Sequence, residues 1–309
     1  MSSNAHVPVL LGPVLHGLDI KKDGIYVDGT FGRGGHSSAI LKQLGEAGRL
    51  VAIDRDPEAI ANADDVLTKD PRFELVRGEI EKLAACIEAK GLTGRVDGLL
   101  LDLGVSSPQL DQANRGFSFL RDGPLDMRMD PESGISAADW LEHTEEKELR
   151  RVLKQFGEEK QAGRIARAIV AAREAGPLTT TLQLADVVTS VVPAHTRKTH
   201  PATKTFQAIR IYINRELEQL EAALDQSLEI LARGGRLCVI SFHSLEDRIV
   251  KRFIRTHSRE HEQYRGMPDV PEEFRPRLKR IGRPITATAD EIAANARARS
   301  ARLRVAERL

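Results

Sequence analysis

A glycine-rich stretch directly after a short apolar run constrains this chain most. In Gly24-Ile-Tyr-Val-Asp-Gly-Thr-Phe-Gly-Arg-Gly-Gly-His36, residues Ile25, Tyr26 and Val27 suit a buried strand. Glycines follow at 29, 32, 34 and 35. Such a loop carries few Cβ atoms, reaches positive φ and lets backbone close on a ligand. Ser37 to Leu44 reads as a helix. A glycine loop between strand and helix turns free N–H groups toward an anionic or polar ligand. The plain alternative is a tight turn with no ligand.

Arg49-Leu-Val-Ala-Ile-Asp54 then forms a second strand ending in a carboxylate. In nucleotide-binding α/β folds an acid about twenty residues past the glycines bonds ribose hydroxyls. The dinucleotide spacing G-x-G-x-x-G is absent. Instead Asp28 precedes Gly29-Thr-Phe-Gly32-Arg-Gly34. That order resembles the first motif of S-adenosylmethionine-dependent methyltransferases, in which the loop wraps the amino-acid end of the cofactor.

Further strands follow at Phe73–Val76 and Val96–Asp102, alternating with helices after Asp56-Pro57 and from Glu81 to Lys90. Continuous apolar strands alternating with helices imply a parallel sheet covered on both faces. Ligands of such sheets bind at the carboxyl ends of the strands. Asp28, Asp54 and Asp102 all sit at such ends and are expected to face one crevice.

With 309 residues, 41% of them hydrophobic, the chain has material for a real core. Its net charge of +1 means that a nucleic-acid role requires local basic patches. Cys86 and Cys238 alone make neither a disulfide framework nor a cysteine-based zinc site. No apolar run spans a bilayer and no signal peptide is evident, so a soluble, cytoplasmic protein without a membrane partner is expected. The sequence leaves the oligomeric state open, a homodimer included.

Asp102-Leu-Gly-Val-Ser-Ser-Pro-Gln109 follows the fourth strand. Ser106-Ser107-Pro108-Gln109 resembles the short polar-Pro-Pro-aromatic motif of amino-methyltransferases but lacks the second proline and the aromatic. A serine–proline turn is the plain alternative. The stretch Gly116–Met129 is too rich in glycine, proline and charge for a regular element. Phe117, Phe119, Met127 and Met129 favour an ordered flap near the crevice, with a role in core closure as the alternative.

Several strings are similar to the ribosomal RNA small subunit methyltransferase H family. They are Asp28–Ser37, Asp54–Pro57, Asp102–Asp111, Arg115–Phe119, Gly123–Asp130, His200–Gln207, Ile240–Arg248 and Asn295–Arg304. The resemblance covers nearly the whole chain. It implies a Rossmann-like α/β fold, a class I methyltransferase parallel sheet with an inserted helical domain. The implied activity is methyl transfer from S-adenosylmethionine to N4 of one cytidine in the decoding region of 16S rRNA. The implied partner is 16S rRNA in the small ribosomal subunit or its precursor. Carried over by position, cofactor contacts fall on Gly34, Gly35, His36, Asp54, Asp102 and Gln109. A further cofactor position, often phenylalanine in the family, is Ile80 here; isoleucine can pack on adenine but cannot stack.

Residues 131–215 break the βα rhythm. Ser136 to Arg173 is helical in pattern, and Thr180 to Val191 forms another helix. Between Val187 and Arg215 there is no acid, while Arg197, Lys198, Lys204 and Arg210 are present. Such a field fits phosphate contacts, with a solvated basic face as the alternative. His195 and His200 lack a nearby third ligand, so no metal is expected. The expected division is therefore 1–130 with 216–309 as the methyltransferase domain, and 131–215 as an inserted helical RNA-recognition domain.

Glu216 to Ala232 reads as an amphipathic helix stopped by Gly234-Gly235, and Arg236–Ile240 as the fifth strand. Ser241-Phe-His243-Ser244 lies at its carboxyl end. His243 either orients the cytosine or is a satisfied structural histidine. Leu245 to Thr256 is helical, and Leu278–Ile285 and Ala301–Ala306 are the closing strands. The chemistry demands alignment and desolvation more than a strong base. Asp102, the carbonyls of Ser106 and Ser107, and His243 are the candidates to hold the amine. Two rival classes are a nicotinamide-dependent dehydrogenase and a non-enzymatic RNA-binding factor.

Overall fold

The structure is a computed structural model; residues 8–192, 200–260, 262–264 and 270–309 are described. Two compact units emerge: residues 1–104 with 217–309, and residues 105–216. The segment 105–130, expected with the sheet, thus clusters with the helices.

The first unit is built on seven strands: β1 Ile25–Asp28, β2 Arg49–Asp54, β3 Phe73–Arg77, β4 Val96–Asp102, β5 Leu231–Ser241, β6 Leu278–Thr286 and β7 Arg302–Arg308. Their order is β3-β2-β1-β4-β5-β7-β6. The first five pair in parallel, whereas β7 runs antiparallel to both β5 and β6. This is a Rossmann-like sheet. Strand order reverses between β1 and β4, and a crevice opens at such a switch point.

Successive strand residues feed opposite faces of the sheet. Val27, Val51, Ile53, Leu99, Leu101 and Val239 join Leu83, Ile87, Leu220 and Leu224 on one side. Tyr26, Leu50, Ala52, Leu100 and Ile240 join Val14, Leu18, Ile40 and Leu303 on the other. Each fully buried Leu or Ile contributes roughly 1.5–3 kcal/mol relative to exposure. This two-sided burial explains why β4 reads as a nearly unbroken apolar run.

Several helices are shorter than the sequence pattern predicts. The run expected after Asp56 divides into Pro57–Ala61 and Asp65–Thr68, because Asp56 and Asp64 each cap a separate start, accepting from the N–H of Glu58 and Val66. The 216–232 helix ends at Ile230, ahead of the two glycines, since Leu231 already pairs with Val96.

The second unit is helical. The single run expected from Ser136 to Arg173 is three helices, Ala137–His143, Glu146–Gly157 and Ala162–Ala175. Glu158 at φ 46° closes the middle one. Thr181–Val191 matches expectation, and Thr203–Ile213 is a helix that the sequence reading left unassigned. Phe117, Met127 and Met129 are buried, and Phe119 stacks on His200 with centroids 4.5 Å apart. These four residues serve core closure of the second unit. Asn214 pins their loop by donating to the Met127 carbonyl at 2.7 Å and accepting from the Met129 N–H at 2.8 Å.

Candidate active site

In the first unit, the loop after β1 is tied down on each side. Gly29 N–H donates to the Leu100 carbonyl and Phe31 N–H to the Ile53 carbonyl, both at 2.9 Å. The Thr30 hydroxyl accepts from the Asp102 N–H at 2.7 Å. Asp28 is buried and accepts from the Ser37 hydroxyl at 2.7 Å and the Thr30 N–H at 3.1 Å. Asp28 is therefore spent inside the loop rather than presented to a crevice. Burial drives its carboxyl pKa up, with the Ser37 hydrogen bond and the His36 charge opposing.

Gly34 and Gly35 open the helix Gly35–Leu41. Gly34 sits at φ +70°, and a Cβ there would meet the Phe31 ring at 2.7 Å. A Cβ on Gly35 would meet the Pro8 ring at 2.4 Å. Both glycines are thus required by packing alone, independently of any ligand.

The second strand end is fully wired. Asp54 Oδ2 accepts from the Gly32 N–H at 2.7 Å, and Oδ1 from the Asp56 N–H at 2.9 Å. Burial raises its pKa, and these two N–H groups pull it back. Each carboxylate oxygen has a second lone pair, so capacity for hydroxyl donors remains. Ile80 opens a short 3₁₀ turn, and its Cγ2 lies 3.5 Å from where a Gly29 Cβ would stand. It lines the same loop as an aliphatic wall.

Asp102 ends β4 differently. Its Oδ2 lies 3.4 Å from His36 Nδ1, while Oδ1 is buried with no hydrogen-bond partner. The other His36 nitrogen, Nε2, lies 3.1 Å from the Val9 carbonyl. Both ring nitrogens thus face acceptors, which favours the doubly protonated imidazolium. Burial alone would lower the His36 pKa; the Asp102 hydrogen bond with the charges of Asp102 and Asp28 raises it overall. No ring nitrogen is left open, so a ligand contact at His36 would run through its backbone.

His243 lies past the end of β5, the strand beside β4. It is the N-cap of the helix Ser244–His257, its Nδ1 accepting from the Glu246 N–H at 3.4 Å. Its Nε2 is 3.1 Å from Glu246 Oε1 without hydrogen-bond alignment. Glu246, which the sequence reading did not single out, is buried and accepts from the Phe242 N–H at 2.7 Å. The spacing His243-Ser-Leu-Glu246, a capping box with histidine in the place of serine or threonine, was the available signal.

Ser106, Ser107 and Gln109 fall in the second unit, directly along the chain from Gly104. Gln109 is buried, and its Oε1 accepts from the Ser106 N–H at 2.9 Å across the short helix Ser107–Asp111. Lys204 and Arg210 are also there. Lys204 Nζ donates to the Glu158 carbonyl at 3.0 Å, and Arg210 forms a two-point pair with Glu216, both contacts 2.9 Å. Arg210 is thus not part of an open basic face: its partner is the residue just past the acid-free stretch. Arg197, Lys198 and His195 lie outside the described residues.

The donor and acceptor set fits S-adenosylmethionine. Asp54 offers acceptors beside the glycine loop, Ile80 an apolar wall, and the orphaned Asp102 Oδ1 an acceptor in need of an N–H or O–H. The model of the MraW methylase family matches residues 3–309. Ribosomal RNA small subunit methyltransferase H of Coxiella burnetii is 55% identical over 305 residues, 99% of each chain. Among solved structures, an rRNA methylase from Streptococcus thermophilus aligns over 97% of this chain and 92% of its own, at 13% identity and a TM-score of 0.38. A SAM-dependent O-methyltransferase from Thermotoga maritima covers 97% and 64%, at 13% identity and a TM-score of 0.40. The chain belongs to the MraW methylase family and is a methyltransferase whose cofactor is S-adenosylmethionine.

Proposed function

We propose that this enzyme methylates N4 of one cytidine in the decoding region of 16S rRNA, within the small ribosomal subunit or its precursor. The observation that carries this reading is the orphaned Asp102 Oδ1 at the β4 end. An exocyclic amine supplies the N–H donor that this acceptor lacks. The relative's name supplies the rRNA class.

The cofactor, when bound, supplies a methyl already activated by its sulfonium. The chain's task is then to align and desolvate the amine. Asp102 holds an amine hydrogen through Oδ1, while His36 fixes the carboxylate through Oδ2. The Ser106 and Ser107 carbonyls are further acceptors for the amine, and Gln109 holds the turn that carries them. Gly34, Gly35, Asp54 and Ile80 seat the cofactor. His243, braced by Glu246, shapes the β5 side. Proton loss follows methyl transfer, so no strong base is needed. N4 of a paired cytosine is hidden, so the target nucleotide is unstacked or in an open strand.

The helical residues 131–215 hold the RNA, with Arg197, Lys198 and Lys204 contributing position rather than base identity. Arg210 contributes through its pair with Glu216, by fixing the end of the helix Thr203–Ile213. The deciding experiment maps N4-methylcytidine in 16S rRNA from cells lacking the protein. One decoding-region cytidine loses its N4-methyl group and regains it when the purified enzyme and S-adenosylmethionine are added to the isolated small subunits. Unchanged modification would overturn the reading.

A further inference from the structure

The far edge of the same sheet carries a second concavity, a cavity of about 750 Å³ between the helix Ser244–His257 and strands β6 and β7. Lys251 and Arg255 on the helix and Lys279, Arg280 and Arg283 on β6 line it, together with Arg259 just past the helix. Among the described residues no aspartate or glutamate side chain lines it. Arg304, also in the lining, is held by Asp247 at 2.8 Å. The terminal carbonyl oxygen of Leu309 accepts from Arg308. Among the described residues no ion pair engages the other six cations.

Each wall alone has an ordinary explanation. Lys, Arg and Pro on an edge strand block unwanted strand pairing, and β6 is the outermost strand. Arg255 in the last turn of its helix complements the helix dipole. Neither reason places both sets on one cavity. Lys251 and Arg255, four apart on that helix, repel by a few tenths of a kcal/mol. Bringing a second cationic wall against them adds repulsion that the fold itself does not need.

We propose that this groove binds the phosphodiester backbone of the substrate RNA, at a stretch distant from the reacting nucleotide. The proposal rests on the RNA substrate read above. Lys279 to Arg283 spans about 13 Å of strand, which suits a run of phosphates better than a single anion. Among the described residues no aromatic ring lines the cavity, so they offer no stacking platform for bases. The contact is therefore sequence-independent and steeply salt-dependent. The edge strand stands three strands from β4, roughly 14 Å away, so the groove and the Asp102 end engage different parts of one RNA.

The test compares wild type with two charge-neutral variants, Lys279→Gln/Arg280→Gln/Arg283→Gln on the strand and Lys251→Gln/Arg255→Gln on the helix. Affinity for a small-subunit rRNA fragment is titrated against salt, beside methylation kinetics and S-adenosylmethionine calorimetry. The strand variant is expected to lower the slope of log K against log salt by about two to three, and the helix variant by about one to two. KM for RNA rises at least severalfold, while kcat and cofactor affinity hold. Unchanged slopes in both variants, with wild type binding and methylating RNA, would overturn the groove and leave edge protection as its role. Should the strand variant aggregate, the helix variant alone decides, since it leaves the strand edge intact. A wild type that neither binds nor methylates rRNA would instead overturn the substrate reading.

Discussion

The ends of β2 and β4 carry the same residue in opposite states. Asp54 accepts from two backbone N–H groups, one on each oxygen. Asp102 shares one oxygen with His36 and leaves the other buried without a partner. The first arrangement holds a loop in shape whether or not a ligand is present. The second is incomplete by itself and becomes satisfied when a donor arrives. Leaving such an acceptor unpaired costs about 1–3 kcal/mol, a cost that a bound amine or hydroxyl removes. The difference is what the proposed roles rest on, Asp54 in the cofactor platform and Asp102 at the reacting centre.

The sharpest way to break this contrast is Asp54→Ala. It leaves the Gly32 and Asp56 N–H groups without acceptors and removes the expected ribose contact. S-adenosylmethionine affinity should fall by roughly 1.5–3 kcal/mol, with a thermal midpoint lowered as well. Calorimetry beside thermal denaturation reads both. Unchanged affinity in a folded variant would take Asp54 off the platform.

Asp102→Asn should act on rate instead. The amide keeps size but replaces one acceptor with a donor. Turnover should drop at least about tenfold, or about 1.4 kcal/mol of transition-state stabilisation. RNA affinity should change less. Single-turnover methylation at saturating cofactor measures the effect. A variant working at the wild-type rate would make Asp102 a structural residue.

The smallest expected effect is the pH dependence of the His36–Asp102 contact. The His36 pKa is raised in the fold above its ordinary 6.5. Its stabilising contribution is therefore complete below about pH 6.5 and lost as pH climbs through the folded value. Asp28 and Asp54, also raised, lose stability with rising pH too, but from near 3.8 upward. The difference between wild type and His36→Gln isolates the histidine. Urea midpoints of the cofactor-free protein should converge as pH rises past neutrality; a constant gap would show that His36 is not protonated there.

Much of the first unit was legible because its signals are local. The apolar runs at Ile25–Val27, Arg49–Asp54 and Val96–Asp102 appear as strands, and the glycine cluster appears as the loop joining strand to helix. Helix boundaries were less legible. Asp64 restarts a helix within a run that hydropathy reads as continuous, and Glu158 in the left-handed region ends another. Thr203–Ile213 is less legible as a helix because Lys204, Gln207 and Arg210 interrupt its apolar pattern, although Phe206, Ile209 and Ile211 are buried.

The sequence by itself determined the strand–loop–helix order, the acids at strand ends and the places where cations concentrate. Each follows from residue type and short spacing along the chain. Only the tertiary structure decided which of those groups are already engaged. Arg210 meets Glu216 just past an acid-free window, whereas Lys279 and Arg283 meet no acid among the described residues although β6 lies in a chain of nearly balanced charge. His36 takes its acceptors from residues 9 and 102, and Asp54 its donors from Gly32 and Asp56. Hydrogen-bond and ion-pair partners are chosen by proximity in space, and folding brings together groups that chain spacing keeps apart.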